Sequence, residues 1–490
     1  MHLKQLLTFL FLISTSLSLI ANENYPGGQH THEKPLNRLS FTWPSPSLTI
    51  ERKLDFHVGK AIFDKVWVFA PASTTASDGL GPLYNARSCV RCHKGNGRGV
   101  LEGDSSSSPA LFLRLSIAPT TSKHRALLAS GKVGFIAEPT YGEQLQTFAY
   151  PGGKAEGQLE VNYTPIEITL TGKQQLSSRL IVSNKQIFEK IELLKPQYKI
   201  KQLGYGPIDQ NLLFSPRIAP PLIGLGLLEA IDANDIRAFA DPEDLNSDGI
   251  SGKANIVWDE IRKKSNLGRF GWKAGTPSLE QQNNAALSGD IGISSWLFPQ
   301  HWGGCTQNQG DCLQQKHGNK RRDKPSLDNL EAPKVITDLL LFYTQNIALA
   351  PTRNSDNPER IKGKKLFTQA GCHACHRPSY TTGNSAVQES LNNQTIWPYS
   401  DLLLHDMGKG LADGRPEFLA NGQEWRTPPL WGIGLTKMVS GKPFYLHDGR
   451  ARSLREAILW HGGEAEVSKQ KVMSMTNKQR QQLIIFLESL

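Results

Sequence analysis

The six cysteines of this 490-residue chain fall into three pairs, and two of the pairs sit in the same short pattern. Ser88-Cys89-Val90-Arg91-Cys92-His93 and Gly371-Cys372-His373-Ala374-Cys375-His376 both contain C-x-x-C-H. In this pattern two thiols add to the vinyl groups of a haem, and the adjoining imidazole is placed to ligate the iron from one side. A single copy would also suit a redox dithiol or half of a zinc site. Two copies, with no further Cys-x-x-Cys to complete a zinc cluster, point to two covalently held haems with His93 and His376 as proximal ligands. The third pair, Cys305 and Cys312, lies in a polar loop; in an exported chain that spacing reads as a local disulfide.

The chain repeats itself around these motifs. After the first comes Arg217-Ile-Ala-Pro-Pro-Leu-Ile-Gly-Leu-Gly-Leu227, then Phe270-Gly-Trp-Lys-Ala-Gly-Thr-Pro-Ser-Leu279. After the second comes Arg426-Thr-Pro-Pro-Leu-Trp-Gly-Ile-Gly-Leu435, then Phe444-Tyr-Leu-His-Asp-Gly-Arg-Ala-Arg-Ser-Leu454. Each half is thus a Cys-His motif, a Pro-Pro turn, a loop and a helix opening at Ser-Leu. Ser278 and Ser453 are the expected N-caps, with Gln281 and Glu456 three residues on completing capping boxes. Seven residues beyond Leu454 stands His461, and seven beyond Leu279 stands Ala286. Alanine cannot ligate iron. The C-terminal haem is therefore expected to be six-coordinate through His376 and His461, and the N-terminal haem to keep an open side for a small oxidant. A capping or surface role before Gly462-Gly463 is the alternative for His461.

With these motifs in view, the chain resembles the bacterial di-haem oxidoreductase family, whose members are named peroxidases or thiol oxidoreductases and are similar to di-haem cytochrome c peroxidases. Asp78-Gly-Leu-Gly-Pro-Leu-Tyr-Asn-Ala-Arg-Ser-Cys-Val-Arg-Cys-His93, Gly268-Arg-Phe-Gly-Trp-Lys-Ala274 and Glu456-Ala-Ile-Leu-Trp-His-Gly-Gly-Glu464 carry the likeness, from about Phe56 to the C-terminus. The resemblance implies that Trp272 lies between the haems, although only the aromatics of the peroxidases' Phe-x-Trp-Asp-Gly-Arg run are matched. It places Asp290, in Gly289-Asp-Ile-Gly292, near the distal acid that shuttles a proton between two peroxide oxygens. It also sets His461 where the peroxidases have an axial Met, a departure that lowers the potential of that haem. A core aromatic for Trp272 and a loop residue for Asp290 are the plainer alternatives.

Two further groups of residues have ligand character. Asp244, Asn246 and Asp248 of Asp244-Leu-Asn-Ser-Asp-Gly249 alternate as in a calcium loop. Asn255 stands where an EF-hand needs Glu, so an EF-hand proper is excluded, and a calcium turn and an Asx-rich loop remain open. His405 and Met407 are rival ligands for the C-terminal haem, with His461 favoured by the repeat.

The elements expected to position these groups follow from pattern and composition. An apolar stretch, Leu6–Ile20, behind Lys4 and ahead of small residues, reads as a signal peptide over 1–21. It is too short for a comfortable membrane span, and no other segment approaches that length. An extended lead-in is expected over 22–55, an N-terminal haem domain over 56–349, a Pro- and Asn-rich linker over 350–358 and a C-terminal haem domain over 359–490. Alternation over Leu159–Leu170 predicts strands in an insertion of the first half spanning about residues 100–215. The fold class expected is mainly α: two cytochrome c-like domains related by the repeat, with that β-containing insertion. The net charge of +10 is dispersed, without a basic block, which weighs against nucleic acid and suits an acidic redox partner. The function expected is a periplasmic oxidoreductase. Electrons from a small cytochrome or cupredoxin would enter at the C-terminal haem, and peroxide would be reduced at the N-terminal one. The alternative is an electron-transfer cytochrome without substrate chemistry. Thiol oxidation finds no spare Cys-x-x-Cys to support it.

Overall fold

Side-chain oxygens open the helices that flank the Cys-His motifs. The computed structural model describes residues 22–74, 76–101, 108–173, 186–318, 329–384 and 386–490; the expected signal peptide lies outside the described residues. Thr49 accepts from the Arg52 N–H and starts α1 (Ile50–Asp64), so helix replaces the end of the expected extended lead-in. Strands β1 (Leu111–Ile117), β2 (Gln158–Lys173), β3 (Gln186–Lys201) and β4 (Leu212–Ile218) follow. The strand expected at Leu159–Leu170 falls within β2, which pairs antiparallel with β3 in the register Leu159↔Ile200 and Val161↔Tyr198. β1 pairs antiparallel with β4, Leu113 opposite Pro216. Ser278 caps α2 (Leu279–Ala286), and α3 (Lys334–Gln345) closes the first half. Asn357 caps α4 (Pro358–Ala370), with Pro358 at the first helical position; Gly371, at φ +89°, turns the chain out of α4 into the second Cys-His motif. Ser453 caps α5 (Leu454–Trp460), which leads to α6 (Glu466–Ser474) and α7 (Asn477–Ser489).

The fold is not mainly α. Helix takes 30% of the chain and strand 19%, in six two-stranded antiparallel sheets among the described residues. The helical signal lies in the segments flanking the motifs. Between them glycines and prolines, of which the whole chain has 44 and 29, leave pieces too short to nucleate helices, and some of these pair as strands instead. The expected capping boxes form by half. Ser278 and Ser453 accept from the Gln281 and Glu456 amides, but the Gln281 side chain turns to Glu260 and Trp258, and Glu456 takes Arg452.

The repeat extends upstream of the motifs in a form the sequence reading missed. α1 packs on α3 and α4 packs on α7, each at a glycine. A Cβ on Gly59 would overlap the Leu339 carbonyl oxygen, and one on Gly363 the Gln482 carbonyl oxygen. Four residues on, Phe63 and Phe367 stand 6.2 and 6.3 Å from the His93 and His376 rings. The shared signal is Gly-Lys-x-x-Phe, at Gly59–Phe63 and Gly363–Phe367.

Two large apolar clusters result, one around Phe56, Phe63 and Tyr343, the other around Phe367, Phe486 and Trp460. The second also takes in Leu113, Val161 and Ile218 of the first half. The β2–β3 hairpin is tied to the second half by the Tyr198 hydroxyl on Asp448 (2.7 Å) and by Arg455 and Arg480 on Glu189.

Because Gly363 lets two backbones touch, Gly363→Ala is expected to destabilise by about 1–3 kcal/mol, the usual cost of overpacking. Gly310, where a Cβ would meet nothing within 4 Å, is the control. Urea unfolding of both alanine variants checks this: equal midpoints would refute the close-crossing argument.

Candidate functional site

The first Cys-His motif forms a one-turn helix, Cys89–Cys92, that delivers Cys89, Cys92 and His93 to a cavity of about 320 Å³. His93 Nδ1 donates to the Pro220 carbonyl at 2.9 Å. A carbonyl can only accept, so Nδ1 carries the proton and Nε2 keeps its lone pair. Burial holds the His93 pKa below its ordinary value, favouring the neutral ring. On α2, Leu279, Gln282, Asn283 and Ala286 line this cavity.

The second cavity, of about 170 Å³, is built the same way. Cys372, Cys375 and His376 line it together with Leu454, Ala457, Ile458 and His461 of α5 and its C-cap. The two helices thus present matching positions at i, i+3, i+4 and i+7, with Ala286 standing where His461 stands. His376 Nδ1 donates to the Tyr399 carbonyl (3.0 Å) and His461 Nδ1 to the Ala457 carbonyl (2.7 Å), leaving Nε2 unprotonated on both. Burial, then the nearby His461 ring, lowers the His376 pKa to about 4.

His405 lines the second cavity but is already engaged. Its Nε2 lies 2.8 Å from Asp401 Oδ2 and its Nδ1 2.7 Å from Glu464 Oε2. Burial alone would push its pKa down; Asp401, with Glu464, pushes it well above the ordinary value. An imidazolium with both nitrogens on carboxylates has no lone pair to give iron. Met407 also lines the cavity, on the loop after the short strand Leu404–Asp406.

Trp272, 6% exposed, lines both cavities, and its indole N–H donates to the Ile218 carbonyl at 2.8 Å. Asp290 lines the first cavity from a π-helical turn, Leu287–Ile291, where its Oδ1 accepts from Gln144 Nε2 at 2.9 Å. Its charge reaches the motif: burial first, then Asp290, pushes the Cys89 thiol up to about 12. Asp244, Asn246 and Asp248 spend their oxygens on their own loop, accepting from the amides of Asp248, Gly249 and Ile250. Among the described residues, no group of three or more His, Cys, Asp or Glu side chains is arranged to hold a metal ion. Cys305 and Cys312 are disulfide-bonded. The sequence reading overlooked Arg98 and Arg426, which line both cavities as Trp272 does. Arg98 lies outside the repeated segments and Arg426 opens the second Pro-Pro segment, and only the fold brings them together.

A comparison with protein families matches residues 21–490 to the one described as "Di-haem oxidoreductase, putative peroxidase". The chain belongs to the di-haem oxidoreductase family. A comparison with curated proteins found no match. Two haems suit a di-haem oxidoreductase with two cavities of matching build. Each has two unpaired thiols, an imidazole with a free Nε2 and a mainly apolar lining. No described helix of this di-haem oxidoreductase is long and apolar enough to cross a membrane.

The Asp401–His405–Glu464 cluster sets a pH dependence. Glu464, which burial would raise and His405 lowers to about 2, contributes stability present above 4.5 and lost as pH falls through 2. His405, raised, contributes stability that is complete below 6.5 and lost only as pH rises through its elevated folded value. His405→Ala leaves two buried carboxylates facing each other. It is expected to cost about 3–5 kcal/mol near neutral pH, the deficit shrinking in acid as the carboxylates take up protons. Denaturant titrations at pH 7 and pH 5 check the trend; a deficit that grows in acid would contradict it.

Proposed function

We propose that this is an exported, periplasmic c-type di-haem peroxidase that takes electrons at its C-terminal haem and reduces peroxide at its N-terminal one. The observation that carries the reading is Ala286 in the place of His461. Thioether bonds at Cys89/Cys92 and Cys372/Cys375 would hold the two haems. His93 would ligate one iron, and His376 with His461 the other. When bound, the haems supply iron centres that pass single electrons and, where a coordination position is free, bind a small oxidant. Export rests on the N-terminal apolar stretch; the Cys305–Cys312 disulfide agrees with an oxidising compartment.

In this reading each side chain has a task that its surroundings allow. Leu279 and Leu454 stand at matching positions, so the difference lies at the next turn but one: Ala286 brings no ligand atom into the first cavity, while His461 would offer Nε2 in the second. Gln144 holds Asp290 by one oxygen, and the other takes no protein donor among the described residues. Asp290 removes a proton from one peroxide oxygen and returns it to the other, which leaves as water. Two electrons and two protons complete the conversion of one peroxide to two waters. A small cytochrome or cupredoxin supplies the electrons singly, and Trp272 bridges the two cavities. The calcium turn adds nothing to this chemistry and is not part of the proposal.

Three measurements test the reading. Intact mass should count two haems per chain. His461→Ala should turn one haem from low to high spin, and Ala286→His should turn the other from high to low spin and abolish its reaction with peroxide. If His461→Ala leaves both spin states unchanged while Met407→Ala alters one, the ligand assignment is wrong.

Asp290→Asn preserves size and removes the capacity to take up a proton. It should slow peroxide turnover by roughly 100-fold to 10,000-fold while leaving the resting spectrum unchanged. Stopped-flow mixing of the pre-reduced protein with peroxide reads this directly. Wild-type protein that is inert to peroxide would leave a plain electron-transfer cytochrome as the better description.

A further inference from the structure

Nine Lys and Arg side chains are buried among the described residues. Six stand within ion-pair distance of a carboxylate, as Arg450 does on Asp448 (2.7 Å) and Lys273 on Asp413 (2.9 Å). Electrostatics demands this, because a charge removed from water is costly unless it is paired. Of the other three, Arg269 lines neither cavity and gives its guanidinium to the carbonyls of Leu228 and Ile231, at 3.0 and 2.7 Å.

Arg98 and Arg426 are different. They are 5% and 8% exposed, and each lines both cavities. Arg98 makes one long hydrogen bond, to the Leu446 carbonyl at 3.4 Å, and lies over the Trp272 ring, 5.4 Å from its centroid. Arg426 donates Nε–H to the Gly271 carbonyl at 2.9 Å and has one further contact, with its neighbour's carbonyl at 3.5 Å. Its backbone N–H bonds the Trp272 carbonyl at 2.9 Å. The Arg98 guanidinium therefore lies against the one indole that the cavities share, and the Arg426 guanidinium is held at the carbonyl of Gly271, the residue before Trp272. A guanidinium has five N–H donors, so most of theirs remain for a partner. Burial lowers both pKa values to about 10, which leaves both groups charged at neutral pH. The partner must be an anion that reaches both cavities.

We propose that Arg98 and Arg426 bind the propionate carboxylates of the two haems, forming a cationic pair in the wall the two cavities share that raises both reduction potentials. The inference rests on the haem occupancy proposed above. A planar guanidinium matches a carboxylate through two parallel N–H···O bonds. A fixed positive charge favours the reduced form of a nearby iron, which carries one positive charge less. Both are positioning residues: they act on the haems through the side groups and through charge.

The test is a spectroelectrochemical titration of the two-haem protein and of Arg98→Gln and Arg426→Gln, each first shown by mass to hold two haems. Both midpoint potentials should fall in Arg98→Gln, by about 59 mV for every tenfold loss in the reduction equilibrium, and a tenfold loss is expected. Arg98→Lys keeps the charge and loses the fork. Its potentials should stay near wild type while the propionate bending band in the resonance Raman spectrum shifts, a readout that remains if Arg98→Gln fails to accumulate. Two haems with unchanged potentials in both glutamine variants, or an unshifted band in Arg98→Lys, would overturn the proposal. Wild-type protein with fewer than two haems would instead strike at the occupancy on which it rests.

Discussion

An imidazole offers a lone pair at Nε2 only while Nδ1 keeps its proton, and a backbone carbonyl beside Nδ1 enforces that state. Three carbonyls do so here, those of Pro220, Tyr399 and Ala457. Each depends on a different piece of the fold: the Pro-Pro turn of the first half, the loop ahead of Ser400, and the last turn of α5. The helix pairs α1/α3 and α4/α7 then fix where the Cys-His motifs sit relative to those carbonyls. The second cavity contains a contrasting histidine. His405, between two carboxylates, is driven to its protonated form and so becomes a structural cation. Identical side chains within one cavity are sorted into neutral rings with a free Nε2 and a salt-bridge cation by what faces Nδ1.

What could be read in advance was local. The C-x-x-C-H spacing, the Ser-Leu helix starts and the seven-residue step to His461 or Ala286 each lie within a dozen residues of chain, and the structure aligns them on matching cavity walls. Alternation in β2 was likewise visible, because a half-buried strand writes its two faces into the sequence. The fold class was not legible. Helical signals around the motifs say nothing about the Gly- and Pro-rich chain between them, where pairing of β1 with β4 joins residues about a hundred positions apart. Gln281 shows the limit within a single motif: its amide meets the cap as expected, while its side chain finds tertiary partners in Trp258 and Glu260.

Arg98 and Arg426 mark the other kind of omission. They stand 328 positions apart on the sequence, Arg98 outside the repeated segments and Arg426 at the head of the second Pro-Pro segment, and neither position signals a buried charge. Only burial beside a shared tryptophan gives them a meaning. The dispersed net charge of +10 is thus a poor guide to where charge acts, since part of the excess is internal and faces the cavities.

The β2–β3 hairpin bears on how such a chain is assembled. Tyr198 waits for Asp448, 250 residues further on, and Glu189 for Arg480, 291 residues further on. Contacts of such separation close late, because loop entropy must be overcome before they reward the chain. The hairpin therefore cannot dock until nearly the whole polypeptide is present. Until then the apolar faces of Leu159, Val161 and Leu193 have no second half to cover them. During synthesis the first half is left unfinished and prone to self-association, and the last helices act as the latch that completes it.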